Sequence, residues 1–287
     1  MTIPPLTAHL ETSGVAQTIG GYRSLFAGAL DDAPDTTTDG YAVSQEQDNA
    51  AKVVGYLLPR LNRSGARSVL DVGCGVGEMV RTLLAEGYEA YGVDLPGLHR
   101  HWRRLGLPED RMFIVDPGDL RLPFEDGGVD FICTFGVIEH VGTTDGNADR
   151  APDYDARRRH WLRELFRALR PGGTMLVGGP NRQFPVDVAH GLDSRASALE
   201  RWLTQRARVS VHKTWGANFL WAYGDVVRYL DGLPYTLEPQ PVAGFLGCSR
   251  VPGPVRPLVQ GYVDHLPKAL WGTGFNPWMM ALIHKLA

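Results

Sequence analysis

The sequence has few cysteines and lacks any long apolar run. Its three cysteines, Cys74, Cys133 and Cys248, are too few and too scattered for a disulfide framework or a cysteine-rich zinc site. No apolar run approaches the ~20 residues that a transmembrane helix needs. The N-terminus shows no charged segment followed by an apolar core, so no signal peptide is predicted. We therefore expect a protein of the reducing cytoplasm without stable membrane insertion.

Neither sign of charge is in large excess. The 287 residues include 29 Lys and Arg against 32 Asp and Glu, which gives a formal net charge of −3. Because no basic cluster offsets this balance, we expect no binding to nucleic acid. The chain is 44% hydrophobic, and its length suits one large α/β domain with insertions.

Strand and helix patterns alternate along the middle of the chain. Apolar runs predict strands at 68–72, 90–93, 112–115, 129–135 and 174–177, and two late strands at 236–243 and 278–286. Amphipathic patterns predict helices at 45–58, 78–85, 155–169, 194–207 and 225–230. Continuously apolar strands separated by helices are typical of a parallel sheet with helices on both faces. We predict a doubly wound α/β fold with a mostly parallel, seven-stranded sheet and an antiparallel edge strand.

The same patterns divide the chain into four segments of one folded unit. We predict an N-terminal cap at 1–64, a Rossmann-like core at 65–180, a helical insertion at 181–232 and C-terminal edge strands at 233–287. Tyr22, Phe26 and Tyr41 precede the first predicted strand, and tryptophans are frequent in the insertion. We expect these aromatic residues to form a lid that excludes water from a ligand.

A glycine-rich turn follows the first predicted strand in the stretch VLDVGCGVGEMV. Gly73, Gly75 and Gly77 are spaced G-x-G-x-G, whereas the dinucleotide-binding fingerprint is G-x-G-x-x-G. Asp71 lies two residues before the first glycine, where a carboxylate would repel a pyrophosphate but suit an ammonium group. Cys74 lies inside the turn without an adjacent base, which predicts a small packing residue at the cofactor-binding turn, counted among the cofactor-binding positions, and not a nucleophile.

Two further acids follow the next two predicted strands. Asp94 ends the second strand, where a carboxylate can accept hydrogen bonds from both hydroxyls of a ribose. Asp119 follows the third strand in GDLRLPF, where its carboxylate can accept a hydrogen bond from the amino group of adenine. Adenine, ribose and an ammonium group are parts of S-adenosylmethionine (SAM). The three acids therefore favour SAM over a nicotinamide dinucleotide.

These motifs resemble those of class I SAM-dependent methyltransferases, of the small-molecule type similar to the ubiquinone-biosynthesis methyltransferases. The matching segments are SVLDVGCGVGEMV, YGVDL, GDLRLPFEDGGVDFICTFGVIEHV and LRELFRALRPGGTMLVGGPNR, between about residues 66 and 182. The resemblance implies SAM as the cofactor. The positions that it places at the cofactor are Asp71, Gly73, Gly75, Gly77, Asp94, Leu95, Asp119, Leu120 and Phe135.

Histidines are the candidates for a general base. Methyl transfer from a sulfonium is an in-line displacement, and a hydroxyl acceptor gains from a nearby base. His190 is the first candidate, because Asp187 could orient its ring if the segment turns helically. His140 in VIEHV is the second, and a structural role near the cofactor is also open for it. His212 is a weaker third.

We therefore predict a methyltransferase that modifies a small or lipid-like organic acceptor, with O-methylation favoured over N- or C-methylation. A SAM-binding protein with lost or exchanged chemistry remains an alternative, and a nicotinamide-dependent oxidoreductase is a weaker one. No metal site is predicted, because the calcium-loop-like run from Asp145 has Arg150 and Ala156 at two required positions. The apolar C-terminal stretch favours core packing or a homodimer surface over a membrane contact.

Overall fold

The computed structural model describes residues 17–32, 39–248, 251 and 253–287, and for 39–44 only the backbone. The described chain divides into two compact units, each with its own internal contacts. Unit 1 comprises Met1–Thr134, Glu164–Met175 and His284–Ala287, and unit 2 comprises Phe135–Arg163 and Leu176–Ile283.

Eleven strands occur among the described residues. They are β1 (Gln17–Ile19), β2 (Tyr22–Ser24), β3 (Ser68–Val72), β4 (Glu89–Asp94), β5 (Met112–Ile114), β6 (Val129–Phe135), β7 (Leu169–Pro180), β8 (Val186–Asp187), β9 (Ser210–Val211), β10 (Tyr235–Pro239) and β11 (Trp278–Lys285). Nine of them form one sheet in the order β1-β2-β5-β4-β3-β6-β7-β11-β10, and β8 pairs with β9. The pairs β2–β5, β5–β4, β4–β3 and β3–β6 are parallel, whereas β1–β2 and β8–β9 are antiparallel.

Eight α-helices accompany these strands in the part of the chain that the structure describes. They are α1 (Asp39–Lys52), α2 (Leu58–Ser64), α3 (Glu78–Ala85), α4 (His99–Arg104), α5 (Tyr154–Ala168), α6 (Ala198–Ala207), α7 (Tyr223–Tyr229) and α8 (Arg256–Asp264). None of these helices combines the length and apolar character that crossing a bilayer requires.

The predicted doubly wound, mostly parallel α/β fold is confirmed, with nine strands in the sheet where seven were predicted. All five residues of β3 are buried, as continuous apolar strands of a covered sheet should be. The strand order reverses at β3, and in such sheets ligands bind outside the carboxyl ends of the strands at this reversal. The glycine-rich turn follows β3 directly and therefore lies at that position.

The additional strands explain where the N-terminal aromatic residues lie. Residues 17–24 were predicted as part of a cap, but β1 and β2 extend the edge of the sheet. Tyr22 is 2% exposed, packs edge-on against Trp102 with ring centroids 5.3 Å apart, and donates a hydrogen bond to the Leu107 carbonyl. Tyr22 is thus a core residue of unit 1 rather than a lid residue, whereas the Tyr41 side chain lies outside the described residues. Three-residue strands carry too short a pattern for the sequence to reveal.

The helix predicted at 45–58 does not end at Pro59. Residues Val53–Leu57 form one π-helical stretch after α1, and α2 then continues from Leu58. Pro59 lies in the first turn of α2, directly after the π-helical stretch, so its missing N–H falls where the regular α-helical hydrogen-bond pattern is already interrupted. The helix ends instead at Gly65, whose φ of 66° is left-handed.

Candidate functional site

Unit 1 holds the glycine-rich turn between β3 and α3. Gly73, Gly75 and Gly77 have φ angles of 78°, 56° and 87°, a left-handed region that favours glycine. The N–H groups of Gly73 and Cys74 both donate to the Val93 carbonyl, at 2.9 and 3.1 Å. These bonds hold the turn against the end of β4 and so fix its conformation.

Cys74 is a packing residue of this turn. Its side chain is 3% exposed, and its sulfur lies 2.9 Å from the point where a Cβ on Gly92 of β4 would be. Burial first, and then the charges of Asp94 and Asp71, raise the pKa of the Cys74 thiol well above its usual value. A thiol that stays protonated is a poor nucleophile.

Asp94 at the end of β4 supports the turn directly. One carboxylate oxygen accepts the N–H of Gly75 at 2.6 Å, and the other accepts the N–H of Leu95 at 2.7 Å. Burial raises the pKa of Asp94 to about 6, and these two backbone hydrogen bonds act against that rise. Each carboxylate oxygen has a second lone pair, so Asp94 can still accept hydrogen bonds from the hydroxyl groups of a ligand.

Asp71 is buried beneath the turn. Its side chain lies on β3, is 3% exposed and accepts a weak hydrogen bond from the thiol of Cys133 at 3.7 Å. Burial, and then the neighbouring charge of Asp94, raise the pKa of Asp71 to about 7. Two neighbouring carboxylates in a buried setting favour a cation and disfavour a phosphate.

The third predicted acid lies on the following loop. Asp119 is exposed in the loop between β5 and β6, and Leu95 is 41% exposed. Leu120 adopts a φ of 54°, uncommon for a residue with a Cβ, and its N–H donates to the Asp116 carbonyl at 2.7 Å. Strained backbone of this kind clusters at ligand sites, so the pair at 119–120 remains a candidate for adenine.

We expect Asp71→Asn to stabilise the ligand-free protein increasingly as the pH rises. The folded-state pKa of Asp71 lies near 7 against a usual value of 3.8. The unfolded chain therefore loses this proton at lower pH, and stability falls as the pH rises from about 4 to about 7. The gain from the amide should grow by about 2–3 kcal/mol between pH 5 and pH 8.

Urea unfolding at the two pH values measures this gain. Comparing the two values cancels any pH-independent cost of placing an amide at this buried position. Asp110→Asn is the matched control, because the Asp110 side chain is 64% exposed in the same unit. Equal gains at pH 5 and pH 8 for Asp71→Asn would contradict the raised pKa of Asp71.

Unit 2 contains a second constellation of ionisable groups, built on Glu139, His140 and His190. Glu139 and His140 follow β6 in a turn in which the His140 N–H donates to the Val137 carbonyl. One donor atom from each of the three side chains lies within 4.8 Å of the others. The rings of His140 and His190 have centroids 5.1 Å apart.

Asp187 orients His190, as the sequence predicts, although β8 and the loop after it replace the expected helical turn. An oxygen of Asp187 lies 2.8 Å from Nδ1 of His190, and the Ala189 N–H donates to the other oxygen. The hydroxyl of Ser210 also donates to the His190 carbonyl, which ties this loop to β9. With Nδ1 against the Asp187 carboxylate, Nε2 of His190 faces Glu139, 3.8 Å from one of its carboxylate oxygens.

Burial dominates the electrostatics of this cluster. It raises the pKa of Glu139 to about 7, against the opposing effects of His190, the residue's own backbone amide and Arg158. Burial first, and then the neighbouring His190, lower the pKa of His140 to about 4. Arg158 is itself 1% exposed and donates to the carbonyls of Glu139 and Val141.

The sequence indicated the two histidines and Asp187 but missed Glu139 and Arg158 as members of this cluster. The motif VIEHV contains Glu139, yet a single acid beside a histidine gives no signal without the distant His190. Phe135 lies in this unit too, with its ring 4.7 Å from that of Phe245. His212, the third histidine candidate, lines a separate polar cavity of about 130 Å³ together with Asp193, Glu200 and Lys213.

Comparisons with known proteins agree with this geometry. Residues 43–220 match the family model of a methyltransferase domain. A probable S-adenosylmethionine-dependent methyltransferase of Mycolicibacterium smegmatis is 30% identical over 162 residues, which are 54% of this chain and 56% of that protein. One of Mycobacterium tuberculosis is 27% identical over 185 residues, 62% of this chain and 59% of that protein. The chain thus spans little more than half the length of these relatives.

A solved structure gives a weaker likeness. A chain in the complex between the Haloferax volcanii Trm112 methyltransferase activator and a methyltransferase aligns with a TM-score of 0.49. It is 17% identical and the alignment covers 87% of this chain and 95% of that one.

Proposed function

The chain belongs to the methyltransferase domain family, and we propose that it transfers a methyl group from SAM to a small or lipid-like organic acceptor. A hydroxyl oxygen is the favoured methyl acceptor. The relatives named as SAM-dependent methyltransferases support the cofactor. The similarity to the ubiquinone-biosynthesis type stays a prediction.

One observation carries this proposal: the paired acids beside the glycine turn of unit 1. Asp71 and Asp94 are close enough for one charge to raise the pKa of the other carboxyl. The pyrophosphate of a dinucleotide would add negative charge at such a site, whereas the cationic amino acid part of SAM would neutralise it. This pairing favours SAM over the nicotinamide alternative.

The turn also offers room for a ligand. Within the part of the chain that the structure describes, a Cβ added to Gly75 would meet only the end of the Gln45 side chain, at 3.2 Å. We propose that the backbone at Gly73 and Gly75 lies against the methionine part, that Asp94 holds the ribose, and that Asp119 and Leu120 line the adenine. SAM supplies a methyl group on a sulfonium, which is an activated leaving group.

The acceptor chemistry is assigned to unit 2. In the proposed reaction the methyl–sulfur bond breaks, a methyl–oxygen bond forms, and the electron pair remains on sulfur. The proton of the acceptor hydroxyl passes to Nε2 of His190 and then to water. The hydrogen bond between Asp187 and Nδ1 of His190 stabilises the ring when it carries that charge.

Two measurements test this function against its alternatives. Isothermal titration with SAM and with NADH separates a methyltransferase from an oxidoreductase, and we expect binding of SAM alone. Transfer of a labelled methyl group to a panel of hydroxyl, amine and carbon acceptors then separates an enzyme from a protein that only binds SAM. Binding of NADH in preference to SAM would overturn the proposal.

We expect Asp94→Ala to weaken SAM binding by roughly ten- to a hundredfold. Hydrogen bonds to a charged acceptor contribute about 1.5–3 kcal/mol, which corresponds to this range of affinity. The carboxylate also holds the Gly75 N–H, so part of the loss comes from a less ordered turn. Titration calorimetry measures the loss, and the exposed Asp110→Ala serves as control. Unchanged affinity in Asp94→Ala would exclude the ribose role.

A further inference from the structure

We propose that Glu139, His140 and His190 form a binding site for a divalent transition-metal ion in unit 2. Two imidazoles and one carboxylate are a donor set that suits zinc, iron, cobalt or manganese. The site lies on the loops after β6 and β8, and no contiguous sequence motif contains all three donors.

The donor atoms are already close to coordinating distance. Those of the three side chains lie within 4.8 Å of one another, and Nε2 of His190 is 3.8 Å from an oxygen of Glu139. Ligands at ~2.1 Å from a tetrahedral zinc ion are about 3.4 Å apart. Small side-chain rotations are therefore enough to close the site around an ion.

Glu139 supplies a second, independent observation. Its side chain is fully buried, and neither carboxylate oxygen accepts a hydrogen bond from another of the described residues. Nδ1 of His140 is likewise buried and without a hydrogen bond in this part of the chain. A buried carboxylate without hydrogen bonds costs several kcal/mol, and a cation between Glu139 and the two rings would remove that cost.

Asp187 completes the arrangement from outside the donor set. Metal-binding histidines commonly donate their second ring N–H to a carboxylate, which fixes the ring and makes the metal-facing nitrogen more basic. Asp187 contacts Nδ1 of His190 in this way and leaves Nε2 pointing towards Glu139. The same pair of contacts therefore orients the ring for a metal as well as for a proton.

The charges around the cluster also favour a cation. Glu139 and Asp187 contribute two negative charges, and the guanidinium of Arg158 is directed to backbone carbonyls of Glu139 and Val141. Three protein donors leave at least one coordination position open for water or a substrate oxygen. Where the proposed function holds, an acceptor hydroxyl bound at that position would lose its proton near neutral pH without a separate base.

The site is tested on the full chain by metal binding alone. Chelator-treated protein is titrated with Co²⁺ and with Zn²⁺, and visible absorption and calorimetry report binding. We expect one ion per chain with visible bands of a nitrogen- and oxygen-coordinated Co²⁺, displaced by Zn²⁺. Glu139→Gln and His140→Ala should each weaken Zn²⁺ binding at least tenfold.

His212→Gln is the matched control, because His212 is a buried histidine of the same unit outside the three donors. Circular dichroism checks that the Glu139→Gln and His140→Ala variants are folded. Unchanged Zn²⁺ affinity in both folded variants would overturn the proposal. A loss of Zn²⁺ affinity in His212→Gln as large as in those two variants would also overturn it. SAM affinity is measured on the same samples. Metal binding without SAM binding would refute the proposed function alone, and SAM binding without metal binding would refute the metal site alone.

Discussion

Gly75→Val should abolish SAM binding, a loss of more than about a hundredfold or ~3 kcal/mol, while the chain still folds. The backbone of Gly75 is fixed on both sides. Its N–H donates a hydrogen bond to Asp94, and its carbonyl accepts a hydrogen bond from Nε1 of Trp102 at 2.7 Å. A side chain at this position cannot move aside and would fill the space assigned to the methionine part. Calorimetry with SAM measures the loss.

The fold should survive because, among the described residues, a Cβ on Gly75 would come close only to the end of the Gln45 side chain, at 3.2 Å. The left-handed φ of 56° costs a branched residue about 1–3 kcal/mol, so a lower melting temperature accompanies the loss of binding. SAM affinity close to that of the unmodified chain in Gly75→Val would refute the assignment of this turn.

Gly77 provides the contrasting variant two residues later. A Cβ there would lie 2.4 Å from Leu107 Cδ1 and 3.1 Å from Trp102 Cδ1, inside the core of unit 1. Gly77→Ala should therefore destabilise the protein more than Gly75→Ala does, as measured by urea unfolding. The pair separates a glycine required for packing from a glycine required for the ligand, although the sequence motif makes the two look equivalent.

The turn and the acids of unit 1 could be located from the sequence because their signals are local. Asp71, the three glycines and Asp94 occur within one strand–turn–helix–strand unit, and β3 and α3 have the predicted bounds. Parallel strands bring their carboxyl ends to one edge, so the spacing alone brings Asp94 against Gly75. How far Asp71 is buried could not be predicted, since it depends on Cys133 of β6.

The cluster in unit 2 could be predicted only in part because its members are distant in sequence. Asp187 and His190 are three residues apart and were paired correctly. Their partner Glu139 lies about 50 residues earlier, and its fully buried carboxylate violates the usual rule that acids lie on the surface. Short strands such as β8 and β9, which position the loop of His190, leave no periodic pattern to recognise.

His190→Ala should lower kcat by about 10²-fold or more while SAM affinity is unchanged. The loss follows whether Nε2 of His190 accepts the acceptor's proton or binds a metal ion that lowers the hydroxyl pKa, because both roles use the same lone pair. The measurement is methyl transfer to an acceptor identified from the panel, at saturating SAM.

Glu139→Gln then distinguishes these two roles. If His190 acts only as a base, the amide at 139 leaves Nε2 in place, as well as the contact between Nδ1 and Asp187, and kcat should change little. If the metal site operates, kcat falls with metal affinity and added Zn²⁺ or Co²⁺ restores part of it. His212→Ala is the control for the loss of a buried imidazole. Full turnover in His190→Ala would contradict both roles and leave the transfer to orientation of the acceptor alone.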